Sequence, residues 1–201
     1  MAATAGYRIE WSSELGTLVA VEAALDAVTL HATELAAGYN EPQNARLMGH
    51  DAPFSPEEVV EHYQAMVGEG ARPFLLFVDE ALVGDADLRG IRGGAAEFAF
   101  MIAARDRQGR GLGTRLAQMI HAFAFVTLGL DRIYASIAPE NLASRRVFEK
   151  LGYRLDLGAE ARSFADEPGD LTMVVRRAEF LLAHPGLLDE LRIRRLTPSP
   201  V

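Results

Sequence analysis

The sequence predicts one α/β domain, a mixed central sheet flanked by helices. Three observations carry that expectation. Strand-like segments come first, then a strand–helix–strand–helix alternation, then strands again, which is the order of a mixed sheet covered by helices. A glycine-rich segment lies between an apolar strand-like run and an amphipathic helix. The chain of 201 residues, 49% hydrophobic and 24% charged, is long enough for one well-buried core and short for two.

Tyr7 to Trp11 reads as a first strand, after which Ser12 or Ser13 caps a long apolar-periodic helix running toward Ala37 and stopped by Gly38. The next helix has a stronger start: Ser55 as cap, Pro56 in the first helical position and Glu58 where the carboxylate of a capping box belongs. It continues to Val67, with Gly68 and Gly70 ending it. Phe74 to Val78 and Ala81 to Leu88 follow as strands joined at Asp79-Glu80, and the turn Gly90 to Gly94 leads into the strand Ala95 to Ala103, an antiparallel meander. The helix from Gly111 to Leu128 carries Leu112, Leu116, Met119, Ile120 and Phe123 on one apolar face, read as core packing, and stops at Gly129. Arg132 to Ala138 is a strand and Asn141 to Leu151 a helix with Gly152 beyond it; Tyr153 to Leu157 and Leu171 to Arg176 finish the sheet. A terminal helix near Glu179 to Arg194 and a frayed tail from Thr197 to Val201 close the chain.

Composition removes several classes of function. With no cysteine there are no disulfides, thiolate metal sites or cysteine nucleophiles. Met1 to Gly6 lacks the features of a secretory signal and no apolar run approaches membrane-spanning length, so a soluble, cytoplasmic protein is expected. A formal charge of −8 argues against a nucleic-acid partner, which needs a basic face. His31, His50, His62, His121 and His184 are scattered without carboxylate clusters, and no metal is expected.

The segment Arg107-Gln108-Gly109-Arg110-Gly111-Leu112-Gly113-Thr114 is the most informative stretch. Glycines alternating with larger residues can turn several N–H groups toward one anion, and the helix that follows adds its positive end, so the loop suits a pyrophosphate. A dinucleotide fingerprint is disfavoured: Thr114 replaces the third glycine, the loop starts several residues after its strand, and Asp131 opens the next strand instead of closing it. A P-loop fails because no Lys-Ser or Lys-Thr follows the glycines.

Gln108-Gly109-Arg110-Gly111-Leu112-Gly113 resembles the pyrophosphate motif of the GNAT acetyltransferase superfamily, Arg/Gln-x-x-Gly-x-Gly/Ala. Asn141-Leu142-Ala143-Ser144 and Phe148-Glu149-Lys150-Leu151-Gly152-Tyr153 look like its second motif, an Asn-x-x-Ser helix ending in Glu-Lys-x-Gly-aromatic. The resemblance covers about Phe74 to Arg176, and the Asn-x-x-Ser form is most similar to the ribosomal-protein N-terminal acetyltransferase branch. It implies a GNAT-like fold with a core over residues 74–176, a helical acceptor-side region over 1–73, a C-terminal helix and tail over 178–201, and a sheet splayed at the cofactor cleft.

The resemblance further implies acetyl-coenzyme A in the gap between the strand ending near Ala103 and the one from Arg132. Its pantetheine arm would bond the backbone of Met101, Ile102 and Ala103, its pyrophosphate would meet Gln108, Gly109, Arg110, Gly111, Leu112, Gly113 and Thr114, and Asn141 would contact pantetheine or hold the cleft open. The implied reaction is direct acetyl transfer to a primary amine, which needs a base, an oxyanion donor and an acid. Glu97 fits the base, sharing a strand face with Ala99 and Met101, and equally fits a solvated strand-end carboxylate. Many relatives carry tyrosine where Phe148 stands, so the acid role moves to Ser144, whose alternative is ordinary first-turn helix bonding. Tyr153 is expected as a core aromatic with an exposed hydroxyl, and Arg145 and Arg146 as a solvated helix face. The lost tyrosine also leaves open a non-catalytic acyl-coenzyme A sensor. The acceptor is expected against the helices before Phe74 and the loop from Leu157 to Leu171, where Asp156, Glu160, Asp166, Glu167 and Asp170 would attract a cation. The arm Tyr39 to Phe54 either covers that cleft or packs at a homodimer contact.

Overall fold

The computed structural model describes residues 6–49, 52–103 and 109–197. In chain order the elements are β1 (Tyr7–Ser13), β2 (Gly16–Glu22), α1 (Leu25–Tyr39), α2 (Pro42–Leu47), α3 (Pro56–Gly68), β3 (Arg72–Val78), β4 (Ala81–Arg92), β5 (Ala95–Ile102), α4 (Leu112–Val126), β6 (Arg132–Ile137), α5 (Leu142–Lys150), β7 (Arg154–Leu155), α6 (Ala159–Arg162), β8 (Leu171–Arg176), α7 (Arg177–Ala183), α8 (Leu187–Glu190) and β9 (Leu191–Arg195). The strands form one nine-stranded sheet in the order β7-β8-β6-β5-β4-β3-β2-β1-β9. The pair β5–β6 is parallel and the others are antiparallel. The mixed sheet flanked by helices that the sequence predicts is therefore present.

Helices cover both faces. On one, α4 buries Leu116, Ile120 and Phe123 against Leu18, Phe74 and Phe98 of the strands. On the other, α1 and α3 bring Val28, Leu35, Val59 and Tyr63 onto Leu75 and Met101. The helix α3 begins as expected, with a complete Ser55–Glu58 capping box and Pro56 in its first turn. Among the described residues no helix is long and apolar enough to cross a membrane.

Three expectations fail. Residues Gly16–Glu22 are a strand hairpinned to β1, not the first turns of a helix, and α1 starts only at Leu25. Because both sheet faces are covered, β2 carries apolar residues on each side, with Leu18, Val19 and Ala20 all buried, and shows no alternation to betray it. Gly38 does not stop α1; it lies inside the helix, where a side chain would begin 2.6 Å from the Ala103 methyl. At the C-terminus, the expected single helix is broken by Pro185 and Gly186, and Leu191–Arg195 pairs with β1 instead, with Ile193 opposite Ile9.

The register of β3 on β4 shifts between Leu76 and Phe77, and Gly84 sits beside that irregularity with φ 156°. A Cβ there would fall 1.9 Å from the Met101 carbonyl oxygen, an atom that cannot move without shifting β5. Gly84→Ala should therefore lower stability by at least about 2 kcal/mol, read as a lower urea midpoint at unchanged slope.

Candidate active site

The parallel ladder between β5 and β6 is short. It pairs Ala95 with Arg132, Ala96 with Ile133 and Glu97 with Tyr134, and then ends, although β5 runs on to Ile102 and β6 to Ile137. β6 keeps its other neighbour β8 as far as Ile137, and β5 keeps β4 as far as Ile102. The strands thus part in the middle of the sheet and open a cleft of about 920 Å³. Its walls include Phe98, Phe100 and Ile102 from β5, Ser136 and Ile137 from β6, and Asn141, Ser144 and Phe148 from α5.

Backbone alternation decides which peptide groups face the gap. The Ala103 N–H donates to the Val83 carbonyl at 2.8 Å. Antiparallel pairing then turns the groups of Met101 toward β4 as well, and those of Phe100 and Ile102 toward the gap. Of the expected backbone trio, the groups of Ile102 lie on the gap side of β5, as do those of Phe100, while the groups of Met101 and the N–H of Ala103 turn to β4.

Gly109, Gly111, Gly113 and Thr114 line the same cleft. Gly111 is the N-cap of α4 with φ 86°, a conformation that strains a residue bearing a Cβ, and among the described residues no side chain caps the helix. The first N–H groups of α4 and its positive end therefore point into the cleft mouth. Leu112 contributes only backbone, its side chain being buried in the core, and Arg110 is exposed outside the lining. Gln108 lies outside the described residues, as does His50.

In α5 the Asn141 side chain accepts the Ser144 N–H at 3.0 Å, the local helix-start bond, and both residues border the cleft. Phe148 is buried in an aromatic cluster, 5.8 Å from Phe100 and 4.9 Å from Tyr153 between ring centres. Contrary to expectation, the Tyr153 hydroxyl is not exposed. It lies 2.6 Å from Nε2 of the fully buried His121, whose Nδ1 donates to the Ala117 carbonyl. Burial holds the His121 pKa down at about 3, so the ring is neutral and Tyr153 donates to it.

The face of the sheet under α1 and α3 adds Asp85, Asp87 and Arg89 to the expected Glu97 and Asp166. Asp85, Asp87 and Arg89 project from alternate positions of β4, and Glu97 stands opposite Arg89 on β5. Tyr39 and Tyr63 both donate their hydroxyls to Asp85, Tyr63 at 2.8 Å. Arg89 donates to both oxygens of Glu97, at 3.1 and 2.9 Å, and to Asp166 at 2.6 Å. Burial raises the Glu97 carboxyl above its ordinary pKa and Arg89 pulls it back only in part. Glu97 is thus neither a solvated strand end nor an unengaged base: it is buried, bound at both oxygens, and outside the cleft lining. Burial also lifts Asp87 to about 7, against the pull of Arg89 and helped by Asp85, Glu97 and Asp166. The signal that marks these residues is a run of charges at every second position of an otherwise apolar strand.

The long arm lies on the cleft. Gln43, Asn44, Arg46, Leu47 and Met48 line it, and Asn44 is pinned by its amide to the Gly38 carbonyl at 2.9 Å. From the loop before β8, Asp166, Glu167 and Asp170 border the opening, and Ser136 holds the loop by donating to Asp170 at 2.6 Å and accepting the Asp166 N–H at 2.9 Å. Glu160 instead binds Arg132 and Tyr134, and Asp156 caps Gly158, so neither faces the opening.

A family model described as the acetyltransferase (GNAT) domain matches residues 10–154. A Bacillus subtilis (strain 168) protein named "Probable N-acetyltransferase YjcK" is 32% identical over 101 residues, 48% of this chain and 56% of that protein, so the match spans little more than half of its length. Among solved structures, Mycobacterium smegmatis RimJ in complex with CoA-disulfide gives a TM-score of 0.65 at 17% identity over 92% of this chain and 96% of that one. Aminoglycoside acetyltransferase AAC(6')-Ib with coenzyme A gives 0.68 at 18% identity over 81% and 96%. Spermidine N-acetyltransferase from Vibrio cholerae with CoA and spermine gives 0.63 at 21% over 82% and 98%. At such identities the likeness is one of fold.

Because His121 accepts the Tyr153 hydroxyl in the dry core, Tyr153→Phe should leave a buried ring nitrogen unsatisfied and lower stability by about 1–3 kcal/mol. Urea unfolding of the variant checks this, and an unchanged midpoint would contradict the assigned bond.

Proposed function

Because the chain belongs to the GNAT acetyltransferase family, we propose that it moves an acetyl group from acetyl-coenzyme A directly to a primary amine. The observation that carries this reading is the parting of β5 from β6 beside the uncapped start of α4, which joins backbone donors in a gap to an anion-binding helix end. Gly109, Gly111, Gly113 and Thr114 would hold the pyrophosphate, and the peptide groups of Phe100 would bond the pantetheine arm. The N–H of Phe100 is suited to the oxyanion that develops on the thioester carbonyl.

The amine enters from the side of α1, α2 and α3, past the acidic loop containing Asp166, Glu167 and Asp170. A carboxylate on that face takes its proton, the nitrogen attacks the carbonyl carbon, and the carbon–sulfur bond breaks. Ser144, at the cleft wall, returns a proton to the departing thiolate, a step for which the buried ring of Phe148 has nothing to donate. Kinship with enzymes of ribosomal-protein N-termini is supported by the Asn141-x-x-Ser144 helix start. The acid-bordered opening suits a cationic amine.

Calorimetry with acetyl-coenzyme A, followed by thiol release across N-terminal peptides, lysine peptides, polyamines and aminoglycosides, tests the proposal. Binding and turnover of at least one amine are expected; no binding at millimolar ligand would refute it. Gly111→Val should weaken acetyl-coenzyme A roughly tenfold, because a positive φ costs a β-branched residue about 1–2 kcal/mol or more.

A further inference from the structure

We propose that Asp87, not Glu97, is the catalytic residue that takes the proton from the acceptor amine. This rests on the transferase reading above and assigns it a residue from four geometric facts. First, Asp87 lines the cleft while Glu97 does not. Second, Asp87 is the register partner of Ala99, just past the last β5–β6 pair at Glu97 and Tyr134. It therefore stands one strand away, about 5 Å, at the level where the gap opens and where a thioester bonded to Phe100 would lie.

Third, the two carboxylates differ in their partners. Both oxygens of Glu97 accept from Arg89, so taking a proton there would break a buried ion pair. Asp87 Oδ1 is buried with no hydrogen-bond partner among the described residues, and Arg89 Nε stands off at 3.9 Å, beyond hydrogen-bond reach. Fourth, Arg89 spends its hydrogen bonds on Glu97 and Asp166 and reaches Asp87 only as a charge at 3.9 Å. A buried carboxylate lacking a donor is an acceptor for an ammonium that arrives beside it.

The groups facing Asp87 are Asp85 and Arg89 on its own strand, Glu97 on β5 and Asp166 in the loop before β8. Tyr39 of α1 and Tyr63 of α3 reach it through their bonds to Asp85, and His62 of α3 lines the same cleft. Glu97 is then a positioning residue, holding Arg89 away from Asp87. The ammonium gives one proton to Asp87, the free amine attacks the carbonyl carbon to form the carbon–nitrogen bond, and the carbon–sulfur bond breaks. The nitrogen's second proton leaves as the thiolate is protonated, yielding amide, thiol and one proton released from Asp87 to solvent. The pKa of about 7 at Asp87 suits a base at neutral pH, ionised above that value and protonated below it.

The test compares the wild-type chain with Asp87→Asn and Glu97→Gln, using acetyl-coenzyme A and the best amine of the panel from pH 5.5 to 9. In the wild type, kcat/KM should rise with pH through an apparent pKa near 7. Asp87→Asn should lose roughly 100-fold or more and the rising limb with it, with unchanged affinity for acetyl-coenzyme A by calorimetry. Glu97→Gln should keep the limb but move it to lower pH, because the like charge of Glu97 is gone and Arg89 is freed toward Asp87. Thermal melting gives a readout free of turnover. A carboxyl whose folded pKa exceeds its unfolded value near 4 weakens the fold as pH rises from about 4 to about 7, so the melting temperature of Asp87→Asn should gain on the wild type across that interval. Turnover within threefold of wild type in Asp87→Asn, or a melting difference that stays flat with pH, overturns the assignment. Failure of the wild type to acetylate any amine while still binding acetyl-coenzyme A overturns the transferase reading, and this role with it.

Discussion

Every functional feature of this molecule depends on two parallel strands that stop bonding to each other halfway along. A strand inside a sheet normally satisfies its peptide groups on both sides, and leaving them without partners in a dry core is costly. Here β5 and β6 each keep one neighbour and lose the other at the same point, after Glu97 and Tyr134. Among the described residues, no other strand replaces the lost bonds. They open onto a cleft of about 920 Å³ that lies at the centre of the sheet, where helices on both faces hold the strands in place. A ligand that offers alternating donors and acceptors along an extended arm can restore what the ladder gave up.

The start of α4 completes that logic with charge. A helix end without a capping side chain presents its first N–H groups together with a partial positive charge. The left-handed Gly111 turns the chain sharply into α4, while Gly113 lets the helix approach the Phe100 ring, from which a Cβ would stand only 3.1 Å. The loop and the gap are therefore one unit: the helix that would bind an anion is packed against the strand whose peptide groups face the cleft.

How much of this was legible in the sequence follows from where the signals are local. The capping box at Ser55, the glycines around Gly111 and the Asn141–Ser144 helix start act over a few residues, and all three are found where the spacing put them. Strand β2 and the terminal β9 were missed because their identity depends on partners far along the chain: β2 is apolar on both faces, and β9 is held by β1 at the opposite end of the sequence. The site shows the same division. The glycine loop is a local motif, but which backbone groups of β5 face the gap depends on its pairing with β4, and this turns Phe100 to the gap and Met101 to β4. Glu97 is legible in the sequence as a carboxylate on the strand before the glycine loop. Its binding to Arg89 required knowing that β4 lies alongside in that register.

The charges on β4 show how the fold accommodates a site inside an apolar sheet. Burying ions is expensive, and a buried pair seldom returns the full cost of desolvation. This sheet face holds Asp85, Asp87, Arg89 and Glu97 at adjoining positions, with one cation among them. Two tyrosine hydroxyls satisfy Asp85, and Arg89 is shared between Glu97 and the Asp166 loop. What remains is a deficit of donors at Asp87, with three acidic neighbours opposing its charge. If only stability mattered, an apolar residue at that position, between Ala86 and Leu88 and opposite Ala99, would remove the penalty. A positively charged group entering the cleft would remove it too, by supplying the missing donor, so under the proposed reading the electrostatic cost carried at Asp87 would attract a cationic amine and favour loss of its proton there.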